Sequence, residues 1–298
     1  MGTSDHLSRF DFGRTKLVAE LDSMISSGVQ DARVSDKVFP LVISDIEGCL
    51  NLDPLHYDFD ILDRIRRLNL LASGHNPIPH LTLCTGRQSP FVDAFSAFLG
   101  VRMPVIFEGG SGLFYPLRAP GCDRVAWHPL VERSMESGEL ERIERVARRV
   151  ARDECASASI GKERLQTYHA RKGQDIERLT EIFRREMSDA GVEANITHSA
   201  NAVDISVIGV DKGTAVSWLL SEISNCGYDG GAITADRVVV MGDAPNDFPL
   251  LRAAGRSVAP INAHHSVKQA VSYVSPYTDA KALAEELIRC IRTNMRLS

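Results

Sequence analysis

Val38-Phe39-Pro40-Leu41-Val42-Ile43-Ser44-Asp45-Ile46-Glu47-Gly48 sets how the rest of the chain is read. A short, near-continuous apolar run fits a strand covered on both faces, and this one ends on two carboxylates and a glycine. Ile61, Leu62, Ile65, Leu68 and Leu71 follow at helical spacing, then the apolar runs His80–Cys84 and Pro104–Phe107. Strand-like runs alternating with helical stripes predict βαβ units and a parallel sheet. The pattern resumes after Asp211: a stripe of Ala215, Val216, Leu219, Leu220 and Ile223, the run Arg237–Asp243, and the short runs Arg256–Pro260 and Ser272–Pro276. The fold expected is α/β, a Rossmann-like parallel sheet whose chain is interrupted once.

The interruption has a different texture. Strand-like segments at 163–170, 195–200 and 202–208 are set among helical stretches near 131–154 and 173–190, which reads as a small α+β domain. The expected division is a helical extension over 1–37, a core over 38–114 and 207–298, and an inserted domain over 115–206 with crossings near Tyr115 and Val207. Leu17, Val18, Leu21, Met24 and Ile25 predict an amphipathic helix from about Thr15 to Ser27 in the extension.

With 298 residues, 44% hydrophobic and 24% charged, the chain can bury a substantial core. A net charge of -5 gives no broad electrostatic footprint for nucleic acid or an anionic membrane, so an anionic ligand must be captured locally. The six cysteines lack Cys-x-x-Cys pairs and read as reduced thiols. With no apolar leader or membrane-length run, a cytoplasmic location is expected.

Chemistry-bearing residues gather after the predicted strands, where open parallel sheets bind ligands. Asp45 and Glu47 follow the first, with Gly48 for a sharp turn. Thr85-Gly86-Arg87 follows the second, at a strand-to-helix junction whose free N–H groups suit phosphate oxygens. Lys212 opens the helix after Asp211, a poor place for lysine by dipole reasoning but a good one for a point charge facing a phosphoryl group. Asp243, Asn246 and Asp247 follow Arg237–Met241 and supply the hard oxygen ligands magnesium prefers. Each stretch alone is also ordinary turn or cap chemistry; their order is what carries the reading.

Together these stretches resemble the haloacid dehalogenase-like phosphatases, whose pattern is Asp-x-Asp-Gly-Thr, a Ser or Thr after the second strand, a Lys, and Gly-Asp-x-x-Asn-Asp. The position of the insertion resembles the type-two cap of the Cof-like, sucrose-phosphatase-like and phosphomannomutase-like branches. Phe107-Glu108-Gly109-Gly110-Ser111-Gly112 and Ala259-Pro260-Ile261-Asn262-Ala263 are further Cof-like echoes. The resemblance implies Asp45 as the nucleophile, Glu47 as general acid and base, and Thr85 and Lys212 as holders of the phosphoryl oxygens. It implies Mg2+ held by Asp45, the Glu47 carbonyl, Asp243, Asn246 and Asp247. Gly86, Arg87 and the cap residues Lys162, His169 and Arg171, with Arg164, Lys172 and His198 beside them, are the candidate substrate contacts.

Two departures matter. Glu47 stands where the family usually has aspartate, and one extra methylene displaces a carboxylate by about an ångström, a misplacement that can lower a rate roughly 100-fold. Cys49 replaces the usual Thr or Val, and with Cys84 reads as a packing residue. The resemblance implies hydrolysis of a small phosphorylated metabolite, a sugar phosphate or a phosphoglycolate-like acid, and allows a homodimer. A phosphomutase and a phosphometabolite-binding protein of low turnover are the alternatives.

Overall fold

The computed structural model describes residues 4–34, 36–53, 55–118, 123–225 and 230–296. A first helix, α1 (Ser4–Ser26), precedes β1 (Leu41–Ser44), α2 (Phe59–Leu71), β2 (His80–Leu83), α3 (Ser89–Leu99), β3 (Val105–Phe107), β4 (Gly112–Phe114) and β5 (Val125–Trp127). Next come α4 (Pro129–Glu136), α5 (Glu139–Asp153), β6 (Ser157–Ala158), β7 (Gln166–His169), α6 (Ile176–Asp189), β8 (Asn195–His198) and β9 (Ala202–Ser206). The chain closes with α7 (Lys212–Asn225), β10 (Val238–Met241), α8 (Phe248–Arg252), β11 (Arg256–Ala259), α9 (His265–Ala270), β12 (Tyr273–Val274) and α10 (Asp279–Arg296).

The central sheet has the order β12-β11-β10-β1-β2, and its pairs are parallel. Its strands read as unbroken apolar runs because both faces are covered. Val42, Val239 and Met241 pack with residues of α1, α2 and α10, while Leu41, Ile43, Val238 and Val240 pack with residues of α7 and α8. In α1, Leu17 and Leu21 are buried in the first cluster, and Arg14 pairs with Asp58, the N-cap of α2, at 3.0 Å. The helix begins well before Thr15, where the apolar stripe starts.

Register places the site. Ser44 lies opposite Met241 on one side and Leu83 on the other. The ladder continues past it, with the Asp45 N–H donating to the Met241 carbonyl and the Cys84 N–H to that of Ser44. The chain therefore leaves β1, β10 and β2 at one level.

The run at 104–107, read as a further parallel strand, keeps one parallel bridge to the core sheet and beyond it turns back into an antiparallel three-stranded sheet, β3-β4-β5. The bridge joins Cys84 to Ile106. Gly110, at φ 110°, makes the reversal possible: a Cβ there would stand 2.3 Å from the Asp211 carbonyl oxygen. An apolar run reports burial, not the direction of its partner. Pairing with β4 keeps the chain beside this sheet as far as Trp127, after which it enters α4.

The inserted part is an antiparallel sheet, β6-β7-β9-β8, packed on one face by α5 and α6. The alternation along its strands divides the two faces. Tyr168, Val203 and Ile205 join Phe183 and Ile143 in the inserted domain's own core, whereas Thr167, His169 and Asp204 line a cavity. The helical stretch near 131–154 is broken at Gly138, whose φ is 73°. Among the described residues no helix is long and apolar enough to cross a membrane.

Candidate active site

Asp45 directly follows β1, with its side chain 6% exposed. Its Oδ1 accepts the Ile46 N–H at 2.8 Å, and its Oδ2 lies 2.8 Å from Lys212 Nζ. Lys212, in the first turn of α7, donates also to Asp247 Oδ1 at 2.6 Å. Asp247 is fully buried, and its Oδ2 accepts the N–H groups of Asp243 and Ala244 at 2.9 and 3.1 Å. It thus ties the lysine to the loop that carries Asp243. Gly48 lets that loop approach: a Cβ at this residue, whose φ is 74°, would lie 2.1 Å from Asp243 Oδ2.

Crowding of like charges dominates the electrostatics. Asp45, Asp243 and Asp247 each bring an oxygen within 4.8 Å of the others. Burial pushes the Asp45 carboxyl up against the pull of Lys212, and the neighbouring carboxylates push the same way. Burial, then Asp247, pushes Asp243 up to about 7. Burial works against the charge on Lys212, but Asp247 and Asp45 outweigh it and hold the ammonium protonated. With all three carboxylates ionised against one ammonium, two negative charges would remain, which a divalent cation would balance. Asn246 fits the same requirement: its Oδ1 is buried without a hydrogen-bond partner, beside the cavity. An unpaired buried acceptor next to crowded carboxylates is a donor set for a hard cation.

Glu47 reaches sideways from this floor. Its Oε1 accepts from Arg87 Nε at 2.5 Å, and its Oε2 lies 3.3 Å from Thr85 Oγ1. Arg87 in turn stands 5.0 Å over the Phe91 ring. The extra methylene of Glu47 is thus taken up by a braced guanidinium. Thr85 is fully buried, and its Oγ1 accepts the Arg87 N–H. Cys49 and Cys84 are buried as well, which pushes both thiols up and away from the nucleophilic thiolate.

A cavity of about 750 Å3 opens above Asp45 and Lys212, walled by Glu47, Arg87, Asp243 and Asn246 below and by the inserted domain above. Lys162 hydrogen-bonds Thr167 Oγ1 at 2.5 Å and lies 3.6 Å from Asp204 Oδ1. His169 Nε2 and Ser159 Oγ are 2.7 Å apart. Of the cap residues singled out from the sequence, Lys162 and His169 line this cavity. Arg171 does not: it follows the end of β7 and lines a separate cleft with Glu154, Lys172 and Gln174. Arg164 stacks over Trp127, and His198 Nδ1 meets the Ser199 carbonyl. Sequence reasoning passed over Ser159, Asp204 and Asn262. The last donates to the Gly48 carbonyl at 2.8 Å and was visible only as part of a quoted motif.

A parallel α/β core with a carboxylate and lysine cluster at its strand ends, under an inserted α+β domain, defines a capped hydrolase. The chain belongs to the haloacid dehalogenase-like hydrolases, whose family model matches residues 138–287. It is 24% identical to the phosphoglycolate phosphatase of Methanopyrus kandleri over 82% of its own length and 94% of that protein. A similar likeness, 24% identity over 82% and 95%, links it to the Thermoplasma acidophilum phosphoglycolate phosphatase. The match to the Methanothrix thermoacetophila enzyme, 27% identical, spans 42% of that protein. Among solved structures, a Thermoplasma acidophilum protein superimposes with TM-score 0.62 at 20% identity, covering 86% of this chain and 99% of that one. The sucrose-phosphatase of Synechocystis, in complex with sucrose and phosphate, does so with TM-score 0.61 at 18% identity, over 85% and 98%.

Proposed function

We propose that this hydrolase is a magnesium-dependent phosphatase of small phosphomonoesters, with Asp45 as the nucleophile. The observation that carries the reading is the buried Asp45 carboxylate, held by Lys212 at the floor of a cavity large enough for a small phosphorylated metabolite. Asp45 attacks phosphorus in line: an Asp45–phosphorus bond forms as the ester P–O bond breaks. Two easier displacements replace one difficult hydrolysis. Lys212 and the Thr85 hydroxyl receive the phosphoryl oxygens. Glu47 gives its proton to the leaving alkoxide, then as carboxylate takes one from the water that releases phosphate from Asp45. Arg87 keeps Glu47 turned to the rim of the cavity through both steps. Asp45, Asp243 and Asn246 would hold magnesium, with the Glu47 carbonyl, and Asp247 braces the set from behind. The ion offsets the repulsion between an anionic nucleophile and an anionic phosphate.

Phosphoglycolate-like acids and sugar phosphates are the substrate classes this reading favours. The named relatives support the first; the alternation of donors and acceptors on the cap wall, Lys162 with Asp204 and His169 with Ser159, supports the second. Purified protein is incubated with a panel of phosphorylated acids and sugars, with magnesium or with EDTA, and phosphate release is measured. Release that needs magnesium and is lost in Asp45→Asn is the expected result; a panel without turnover in the presence of magnesium sinks the reading.

A further inference from the structure

Glu108 follows β3 and is 1% exposed, yet its backbone sits in the left-handed region at φ 46°. Non-glycine residues hold that conformation only where the surroundings fix it. Here the surroundings are three consecutive backbone N–H groups of the cap. Oε1 accepts from Glu163 at 2.8 Å, and Oε2 accepts from Arg164 at 2.7 Å and Leu165 at 2.9 Å. The backbone of the same turn grips the core: the Glu108 N–H donates to the Arg87 carbonyl and the Gly109 N–H to that of Thr85. One residue thus joins the loop that carries Thr85 and Arg87 to the cap edge.

The next residue toward the N-terminus on that edge is Lys162. Its Nζ lies 4.0 Å from where a Cβ on Gly86 would stand, over the middle of the Thr85–Arg87 loop. The Lys162 side chain is 11% exposed, and burial pushes its ammonium down against the pull of Asp204 and then Glu108. A flexible side chain rarely gives up its hydration unless the backbone beneath it is held.

We propose that Glu108 is a positioning residue: its carboxylate clamps the 163–165 amides and thereby fixes Lys162 over the phosphate-side loop, where it meets the part of the substrate beyond the phosphoryl group. The clamp requires a carboxylate. Three donors converge on two oxygens, and glutamine would turn an N–H2 against at least one of them. Glu108 therefore governs how well the non-phosphate part of the substrate is held, and leaves the attack by Asp45 to the core residues. This rests on the proposed phosphatase reading for its kinetic arm only.

The kinetic arm uses, with magnesium, whichever phosphomonoester the panel shows the native protein to turn over. Glu108→Gln raises KM about tenfold while kcat changes less than about threefold, as expected for lost binding held equally in ground and transition states. In a Lys162→Met background the same change moves KM less than about twofold, because the two residues act through one contact. A fall in kcat at unchanged KM, or effects that add in full, overturns the proposal. The exchange arm needs no substrate: in the native protein the amides of 163–165 exchange together and about 100-fold or more slower than a solvent-exposed loop amide, and in Glu108→Gln all three speed up. Unprotected amides in the native protein overturn the clamp. If Glu108→Gln does not fold, Glu163→Pro, which deletes one of the three donors from the exposed cap loop, gives a smaller rise in KM at the same kcat; an unchanged KM there overturns the proposal too. If nothing in the panel turns over, the phosphatase reading fails while the exchange arm still decides the clamp.

Discussion

The two walls of the cavity are built on opposite terms. Its floor hangs from the ends of adjacent parallel strands, and Lys212, Asp45 and Asp247 are 5%, 6% and 0% exposed. The side chains of Asp45, Lys212 and Asp247 are held by one another or by backbone N–H groups, whereas Asn246 Oδ1 is buried without a hydrogen-bond partner. The roof is one face of an antiparallel sheet whose residues alternate between the cap's core and the cavity, and its charges, Lys162 and Asp204, already neutralise each other. Between them lies a wetter rim, Glu47 and Arg87, 41% and 34% exposed. Buried charges stripped of their partners carry the largest energies, so under the proposed reading changes in the floor should bear on turnover and changes in the roof on the choice of substrate.

Removing charges from the floor gives the largest effects, and the two obvious removals differ in sign for stability. Lys212→Met leaves two buried carboxylates without their cation. Breaking a buried pair in this way destabilises by about 3–5 kcal/mol, and phosphate release is lost with it. Asp45→Asn also abolishes release, by on the order of 10⁴-fold or more, yet it relieves the crowding around Asp243 and Asp247. Melting in EDTA should place Asp45→Asn at or above the native protein and Lys212→Met well below it. Magnesium should raise the melting temperature of the native protein more than that of Asp45→Asn. If both variants melt lower by similar amounts, the carboxylates are not crowded and the floor is not a cation site.

The same contrast explains what could be read without coordinates. Asp45, Thr85, Lys212 and Asp243 lie immediately after apolar runs or at a helix start, so strand grammar and position on the sheet pointed at each of them. The parallel core was legible because strands buried on both faces show as unbroken apolar runs. The run at 104–107 has the same texture, and nothing in it says that Gly110 turns it back onto β4. The roof was legible only in outline. Lys162 and Arg171 are both basic residues flanking the same strand, and which one faces the cavity depends on how the cap sits over the core. Glu108 stood in a quoted motif, but the three amides it holds come from residues more than fifty positions away.

At the rim the expected effects are intermediate, and they test whether Glu47 is a working acid and base or a relic. Glu47→Gln should lower kcat by about 10²- to 10³-fold, the range for losing a positioned proton donor, with the fold intact because the residue is wet. Arg87→Met frees Glu47 and should lower kcat by roughly tenfold. Glu47→Asp withdraws the carboxylate from Arg87. Steady-state rates decide: a fall in kcat shows that this site is tuned for glutamate, whereas a large gain would make the native chain a slow enzyme suited to binding.

Lys162→Met on the roof should raise KM about tenfold and leave kcat within a few-fold, since a contact to the part of the substrate that does not react contributes to ground and transition states alike. Selectivity across the panel should flatten at the same time if the residue acts, as proposed, on the leaving group.

The smallest effect is expected at Arg171, and it sharpens the division most finely. Arg171, like Lys162, is basic and flanks β7, but it lines the cleft beside Glu154 and Gln174 rather than the cavity over Asp45. Exposed residues away from such features change stability by less than about 0.5 kcal/mol, so Arg171→Ala should melt like the native protein. Its KM and kcat should stay within about twofold on every substrate that Lys162→Met affects. The pair differ only in which way the cap presents them. A rise in KM at Arg171 equal to that at Lys162 would mean that basic side chains on the cap, through long-range attraction of an anion, set affinity wherever they stand. In that case the roof would be an electrostatic funnel, and raising the salt concentration should abolish both effects together.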